Sequence, residues 1–295
     1  MTRPVVALTG ANGYVGSVIT AALQGRADVF GLVRAPNGPD QIAWSFASDT
    51  APVEVALRER GVTHLVHAAW DMTTNSLAEL ERSCVAGSRA LFEAAERAGV
   101  GRIVFISTIS AFQGAKSAYG RAKLQVEAMT ARDTPARTGN VILRLGLLHG
   151  ESDRGAYGNL RRMVRGSGMV PMIGRGAQPQ YLLHERVLGQ VIQRIVDGDF
   201  TGDASPITLA DPVPVPFRDL LRQIARQEGR NPLLLPVPWP LMYAGIRTAE
   251  TLGLRLGFRS DSVLSFVFQD ERPDFGPLRR HGINTAVGAS TPPGL

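Results

Sequence analysis

Short apolar runs alternate with longer amphipathic stretches along the first half of the chain, a pattern that predicts strands alternating with helices. The strands are expected at Pro4–Thr9, Val29–Arg34, Gln41–Phe46, His64–Ala68, Arg102–Ser107 and Asn140–Leu145. The helices are expected at Tyr14–Gln24, Pro52–Arg60, Leu77–Ala98 and Ser117–Arg132. This alternation predicts an α/β fold with a doubly wound parallel sheet and helices on both faces.

The pattern changes after Gly150, where residues 151–180 become rich in glycine and loops. Tyr181–Leu183 and His184–Val196 then predict a strand and a helix that return to the first unit, followed by a short strand and a helix at Pro216–Glu228. We expect a first domain from residues 1–150 with 181–200. Residues 151–180 and 201–295 are expected to form a smaller domain that closes over the site.

Composition and charge narrow the possible partners. The 295-residue chain has a net charge of +6, and Lys116 and Lys123 are the only lysines among its 32 basic residues. These residues are scattered, so no nucleic-acid surface is predicted, whereas a basic surface suits a small anionic ligand. Cys84 is the only cysteine, which excludes an internal disulfide and a cysteine metal cluster and favours a cytoplasmic setting.

Neither the N-terminus nor the most apolar internal stretch predicts contact with a membrane. The N-terminus runs directly into a strand and a glycine turn, which is not typical of a signal peptide. The most apolar later stretch, Leu233–Ile246, is short and contains three prolines, so it does not predict a membrane span.

The glycine-rich segment between the first strand and the first helix predicts a dinucleotide site. Its sequence is Thr-Gly-Ala-Asn-Gly-Tyr-Val-Gly over residues 9–16. Gly10 would permit the tight turn, Gly13 the close approach of a pyrophosphate and Gly16 close helix–strand packing, with the phosphate charge at the helix N-terminus. The alternative is an ordinary glycine-rich turn. The expected contacts are Gly10, Asn12, Gly13, Tyr14, Val15 and Gly16.

The residue at the end of the second strand bears on the choice of cofactor. An acidic residue there would bind the adenine-ribose hydroxyl of NAD, but this chain has Arg34, which can hold a 2′-phosphate and stack on adenine. We therefore expect NADP in preference to NAD. The alternative is that Arg34 is a solvated surface arginine.

Tyr119 and Lys123 are four residues apart on a predicted helix, so both side chains lie on one face. A tyrosine hydroxyl has a pKa near 10, and an ammonium group about 4 Å away could lower it by about three units. Tyr119 could then exchange a proton with substrate while hydride passes to or from a nicotinamide. Thr108, at the end of the preceding strand, is the candidate second hydroxyl; the alternative is a strand-capping role.

These motifs resemble the extended short-chain dehydrogenase/reductase superfamily, in its NAD-dependent epimerase/dehydratase-like branch. The resemblance includes His67-Ala68-Ala69, Arg144-Leu145-Gly146 and the segment Tyr181–Val187. It implies a Rossmann-type domain with a substrate-binding C-terminal domain and catalysis by Thr108, Tyr119 and Lys123. It also implies cofactor contacts at Ala68, Ala69, Leu145, Tyr119 and Lys123.

The resemblance further implies a homodimer through the helices Leu77–Ala98 and Ser117–Arg132, with Ala118 and Ala122 permitting close approach.

Two departures from the family pattern limit the reaction. Cys84 stands where the family has an asparagine that holds a water in a proton path. The strand end reads Thr108-Ile109-Ser110, without the carboxylates that sugar-nucleotide dehydratases carry, so dehydration is disfavoured. His149 and His184 lack the spacing of a metal site, and no metal is expected.

The favoured function is an NAD(P)-dependent oxidoreductase or epimerase acting on a carbonyl or hydroxyl of a small substrate, plausibly a sugar-nucleotide. The short interval between Thr108 and Tyr119 weakens the case for a large nucleotide-sugar. The alternative is a non-catalytic dinucleotide-binding sensor or assembly subunit on the same fold.

Overall fold

Seven parallel strands form the main sheet of the computed structural model, which describes residues 3–132, 139–200, 205–254 and 257–285. The strands are β1 (Val5–Thr9), β2 (Asp28–Val33), β3 (Gln41–Ala43), β4 (His64–His67), β5 (Arg102–Thr108), β6 (Val141–Leu145) and β11 (Ile207–Leu209). Their order across the sheet is β11-β6-β5-β4-β1-β2-β3, and every neighbouring pair is parallel. The predicted doubly wound parallel sheet is therefore confirmed.

Helices cover both faces of this sheet, as expected when parallel strands are joined by crossovers. They are α1 (Tyr14–Leu23), α2 (Ala51–Glu59), α3 (Leu77–Leu80), α4 (Ala86–Arg97), α5 (Ala118–Thr130) and α7 (Glu185–Val196). One buried cluster joins β1 to α1 and α7, and a second joins the other face of the sheet to α2, α4 and α5.

The predicted long helix Leu77–Ala98 is interrupted. A π-helical turn at Glu81–Val85 separates α3 from α4. Within this turn Cys84 is fully buried, and its Sγ accepts a hydrogen bond from the Asp71 amide at 3.3 Å. The interruption therefore lies against the loop that follows β4.

Most of the remaining elements form a smaller layer beside the carboxyl ends of the main strands. Its elements are β7 (Leu147–His149), β8 (Met169–Ile173), β9 (Pro179–Gln180), β10 (Leu182–His184), β12 (Val215–Pro216), β13 (Leu233–Val237), α6 (Gly155–Gly166), α8 (Phe217–Gln227), α9 (Trp239–Thr251) and α10 (Ser260–Val267). The last helix, α11 (Gly276–Arg280), packs on β11 of the main sheet instead. Strand pairs β7–β10, β8–β13 and β9–β12 make three two-stranded sheets. A third buried cluster joins α6, α8 and β8, so this region has an apolar core of its own.

Two strands differ in placement from the sequence-based expectation. β11, which was expected in the smaller domain, pairs with β6 and completes the main sheet. β10 pairs with β7 rather than with the main sheet, although the helix that follows it, α7, packs on α1 as expected. The division into two domains remains a prediction. No helix in the described ranges has the length and apolar character needed to cross a bilayer.

Candidate functional site

The glycine turn between β1 and α1 is built by close backbone contacts. Gly10 has a φ of +70°, and a Cβ on it would lie 2.9 Å from the Ala69 amide nitrogen. A Cβ on Gly16 would lie 2.2 Å from the Gly10 carbonyl oxygen. Both positions therefore require glycine, the first for its conformation and the second for space.

The start of α1 can accept an anion. Its first turn contains no acidic residue and has no side-chain cap, and the first N–H groups of a helix lack partners within it. The Tyr14 hydroxyl donates to Glu185 Oε2 at 3.0 Å, which holds this side chain against α7. The Asn12 side chain accepts a hydrogen bond from Gln41. The predicted residues 10–16 thus form a cradle that fits the pyrophosphate of a dinucleotide.

A buried hydrogen-bond chain fixes the loop beside this turn. The amides of Ala68 and Ala69 both donate to Thr9 Oγ1 at 3.0 Å, so the Thr9 proton points to His67 Nδ1, at 2.8 Å. The Nε2–H group of His67 then donates to Ser88 Oγ at 2.8 Å. Burial and the charge of Lys123 lower the pKa of His67 to about 3, which keeps this ring neutral.

The predicted catalytic residues Thr108, Tyr119 and Lys123 are brought together at the carboxyl end of β5. Thr108 lies beside the Tyr119 hydroxyl and acts to lower the pKa of that tyrosine. Thr108 Oγ1 also accepts from the Ser110 amide at 3.2 Å, so its own proton can be directed to the tyrosine. Thr108 pairs in register with Leu145 at the end of β6, which places the predicted contact Leu145 on the neighbouring strand.

The electrostatic relation between Tyr119 and Lys123 differs from the prediction. We expected the lysine to lower the pKa of the tyrosine, but burial raises the pKa of Tyr119 to about 12, and only Thr108 acts to lower it. The reason is that Lys123 Nζ is directed elsewhere: it donates to the Ile106 carbonyl at 2.7 Å and lies 6.0 Å from the Tyr119 ring centroid. In this state the tyrosine is a proton donor rather than a base.

Lys123 is itself buried, with 3% of its surface exposed. Loss of water lowers its pKa to about 7, although Cys84 and Glu127 act in the opposite direction. Its ammonium group lies 4.1 Å from the Trp70 ring centroid and 4.6 Å from that of Phe105, and these aromatic faces favour the charged form. A group that changes charge near neutral pH is typical of a functional position.

Trp70 was not among the predicted site residues. Its ring stands at 84° to that of Tyr119, with 5.8 Å between centroids, and its buried Nε1–H has no hydrogen-bond partner among the described residues. Its place directly after Ala68-Ala69 is the sequence signal that could have identified it.

Glu127 is a second buried residue of the site that sequence reasoning missed. It accepts hydrogen bonds from Ser107 and, at two oxygens, from Arg144. This network joins α5 to β5 and β6 beneath Lys123, one turn away on the helix. It supports the catalytic helix without reaching Tyr119.

Arg34 follows the end of β2 and is exposed. The Gly10 amide donates to the Leu32 carbonyl at 3.3 Å, which ties this strand end to the glycine turn. The position is compatible with the predicted contact to a 2′-phosphate. No hydrogen bond of the Arg34 side chain is found within the described residues.

A metal site is not formed by the described residues. His149 and His184 lie close together, with 5.1 Å between ring centroids, but no group of three or more His, Cys, Asp or Glu side chains is arranged to hold an ion there or elsewhere in the described ranges. His184 Nδ1 instead accepts from the Arg186 amide at the start of α7.

Solved structures share this fold at low sequence identity. The UDP-glucose 4-epimerase of Thermus thermophilus in complex with NAD is 22% identical, with a TM-score of 0.69 over 96% of this chain and 94% of that one. The UDP-N-acetylglucosamine 4-epimerase of Bacillus cereus is 14% identical, with a TM-score of 0.66 over 92% and 99%. A short-chain dehydrogenase/reductase superfamily protein of Agrobacterium tumefaciens with bound NAD is 22% identical, with a TM-score of 0.65 over 88% and 94%.

No curated protein matches the chain. The family described as the NAD dependent epimerase/dehydratase family matches residues 6–198, which span the glycine turn, the residues around Tyr119 and the helix α7. The chain therefore belongs to the NAD-dependent epimerase/dehydratase family.

Proposed function

We propose that this protein is an NAD(P)-dependent oxidoreductase or epimerase that acts on a carbonyl or hydroxyl group, with Tyr119 as its acid/base. The observation that carries the proposal is the placement of Tyr119 beside Thr108 at the end of β5, one turn of α5 from the buried Lys123. A non-catalytic binding protein has no use for a buried ammonium group, whose desolvation is costly.

The proton chemistry follows from the arrangement of these side chains. Because its pKa is about 12, Tyr119 is protonated at neutral pH and can donate to the oxygen of a substrate carbonyl. The Thr108 hydroxyl would then stabilise the phenolate that remains. When bound, the nicotinamide cofactor supplies or accepts the hydride. Lys123, in its charged form, would hold ribose hydroxyls and stabilise negative charge on Tyr119.

The substrate class we propose is a sugar-nucleotide or a similar small molecule. Two of the structural relatives are 4-epimerases of UDP-sugars, and the net charge of +6 suits an anionic substrate. Epimerisation or reduction is favoured over dehydration because Thr108-Ile109-Ser110 carries no carboxylate.

For the cofactor we propose NADP in preference to NAD, on the position of Arg34 beside the glycine turn. NAD remains the alternative, since the relatives in complex bind it. The competing function is a dinucleotide-binding sensor. The observation in its favour is that the buried Cys84 occupies the position at which the resemblance places the family's asparagine.

The test of the proposed function is the Tyr119→Phe variant, which removes one hydroxyl. We expect cofactor affinity to survive and turnover to fall by about 10²- to 10⁴-fold, the usual contribution of a general acid–base group. Turnover would be measured with UDP-glucose and with a panel of ketones, using both cofactors. Tyr243→Phe, in α9, is the matched control. A variant that keeps more than about a tenth of wild-type turnover would contradict the acid/base role of Tyr119 and favour the sensor function.

A further inference from the structure

The first turn of α5 is capped twice, once from within and once from far along the chain. Ser117, directly before the helix, accepts from the Gly120 amide at 3.1 Å. The Asp261 carboxylate takes the other two amides: Oδ1 accepts from Ala118 at 2.8 Å and Oδ2 from Tyr119 at 3.0 Å. Asp261 is 142 residues beyond Tyr119, in α10, and only 8% of its surface is exposed.

The double cap matters because of where the tyrosine lies in the helix. The first N–H groups of a helix have no partners within it, and helix ends fray. Tyr119 is the second residue of α5, so its backbone belongs to the turn that would fray first. Asp261 satisfies the amide of Tyr119 itself, and its negative charge also interacts favourably with the helix N-terminus.

The opposite side of this turn is confined by the loop after β5. A Cβ on Gly120 would lie 2.2 Å from the Ser110 carbonyl oxygen, so the helix and the loop that follows Thr108 are in close contact. The first turn of α5 is therefore held between Ser110 on one side and Asp261 on the other. A small displacement of this turn would change the contact between Tyr119 and Thr108.

Asp261 is fixed by a network that also holds the loop after β4. The neighbouring Ser260 donates to Glu250 through its hydroxyl at 2.6 Å and through its amide at 2.9 Å. Asn75 donates from its side chain to Glu250 at 2.9 Å and to Ser260 Oγ at 3.1 Å. The carboxylate therefore reaches α5 from a braced position rather than from a free surface side chain.

We propose that Asp261 is a positioning residue for Tyr119: it holds the first turn of α5 in the register at which the tyrosine hydroxyl meets Thr108. The proposal rests on the proposed function for its catalytic consequence, but its structural claim can be tested without any substrate. If Asp261 has this role, the C-terminal region, which lies beyond the segment that matches the family, is a necessary part of the catalytic arrangement.

The first experiment uses fluorine NMR of the full-length protein labelled with 3-fluorotyrosine. The chain has five tyrosines, and the Tyr119 resonance is assigned by its absence in Tyr119→Phe. We expect Asp261→Asn to shift or split the Tyr119 resonance and to leave the other four unchanged. Asp274→Asn is the matched control, because its carboxylate accepts the Gly276 amide at the start of the remote α11.

The second experiment measures kinetics with UDP-glucose and both cofactors. We expect Asp261→Asn to lower kcat by about ten- to a hundredfold, the range that a small misplacement of a catalytic group can cost, with KM changed less than about threefold. In the Tyr119→Phe background the same substitution should cause no further loss, because a residue that acts only through the tyrosine has nothing left to position.

An unchanged Tyr119 resonance in folded Asp261→Asn would overturn the proposal, and so would an equal loss of kcat in both backgrounds. If Asp261→Asn does not fold, Asp261→Glu keeps the charge and displaces the carboxylate, and the same selective change is expected. A general loss of folding in both variants would assign Asp261 to stability alone and overturn positioning. Retained activity in Tyr119→Phe would instead contradict the proposed function, while the resonance still decides the role of Asp261.

Discussion

Lys123 is buried, and its pKa differs strongly from that of an exposed lysine. Burial lowers its pKa from 10.5 to about 7. Between these pH values the unfolded chain binds a proton at this lysine that the folded chain does not bind. The contribution of Lys123 to the free energy of unfolding therefore rises with pH from about 7 to 10.5 and falls as the pH is lowered through this window.

Substitution of Lys123 by methionine should remove this pH dependence. From pH 7.5 to 9.5, we expect the free energy of unfolding of the wild type to rise relative to that of Lys123→Met, by up to about 1.4 kcal/mol per pH unit. Urea denaturation at several pH values measures the difference. Lys116→Met, at the exposed second lysine, should follow the wild type. Parallel curves for wild type and Lys123→Met would show that Lys123 is charged in the folded chain.

The predicted preference for NADP over NAD depends on a single residue, Arg34. We expect NADPH to bind more tightly than NADH, and Arg34→Asp to reverse this order, because the carboxylate repels a 2′-phosphate and can accept from a ribose hydroxyl. Calorimetry with each cofactor measures both affinities. Arg230→Asp makes the same change of charge at another exposed position and should leave the order as in the wild type. Equal affinities in the wild type would refute the role of Arg34.

The residues of the site were predictable to different degrees. Tyr119, Lys123 and Gly16 follow local rules of spacing, so they could be predicted from the sequence alone. Asp261 could not be found in this way, because no local pattern connects it with a helix 142 residues earlier. The pKa of Tyr119 was mispredicted because the direction of the Lys123 ammonium is set by the Ile106 carbonyl and by Trp70, which only the packed structure specifies.

At the scale of the elements, strands and helices were predicted to within a few residues wherever local signals were strong. One exception is the helix predicted at Leu77–Ala98, which the π-helical turn at Glu81–Val85 divides. Such turns are rare and occur mostly as single turns inside α-helices, so a continuous helix was the expected form. Another is the segment 151–180, which was expected to be rich in loops and instead contains α6 and β8. The pairing of β10 with β7 was missed for a different reason, since a three-residue strand fits more than one sheet.

The helices expected to form the dimer interface require one correction. Ala118 and Ala122 were predicted to permit close approach of a second copy, but 9% and 0% of their surfaces are exposed, and both pack in the core of their own chain. The exposed stripe of α5 consists of Arg121, Gln125 and Ala128, which recur at helical spacing. A dimer through α4 and α5 would therefore use this stripe.

Substitution of Ala128, at the C-terminal end of this stripe, tests the predicted homodimer. We expect the wild type to be a dimer by light scattering at micromolar concentration and Ala128→Arg to be a monomer, because a long charged side chain would prevent close helix contact. Ala244→Arg makes the same change on the exposed surface of α9 and should remain dimeric. A monomeric wild type would contradict the predicted assembly.

At the scale of the whole molecule, the sequence pattern implied the parallel sheet and a smaller domain beside it. The position at which the chain passes from the main sheet to the smaller layer was not predicted. β11 lies in the range expected for the smaller domain, yet its three residues are buried beside β6. The local sequence of a short apolar strand does not indicate which sheet it joins, because its pairing depends on which sheet edge is free.

The position of β11 also has a consequence for the order in which the chain acquires its structure during synthesis. Six strands of the sheet have been made by Leu145, but the edge of β6 stays open until Ile207–Leu209 has been translated. The capping carboxylate of Asp261 is made later still. A nascent chain that ends near residue 198 would therefore expose an unpaired edge, which is a known route to aggregation. Ribosomes that stall in this interval should release a product that needs a chaperone.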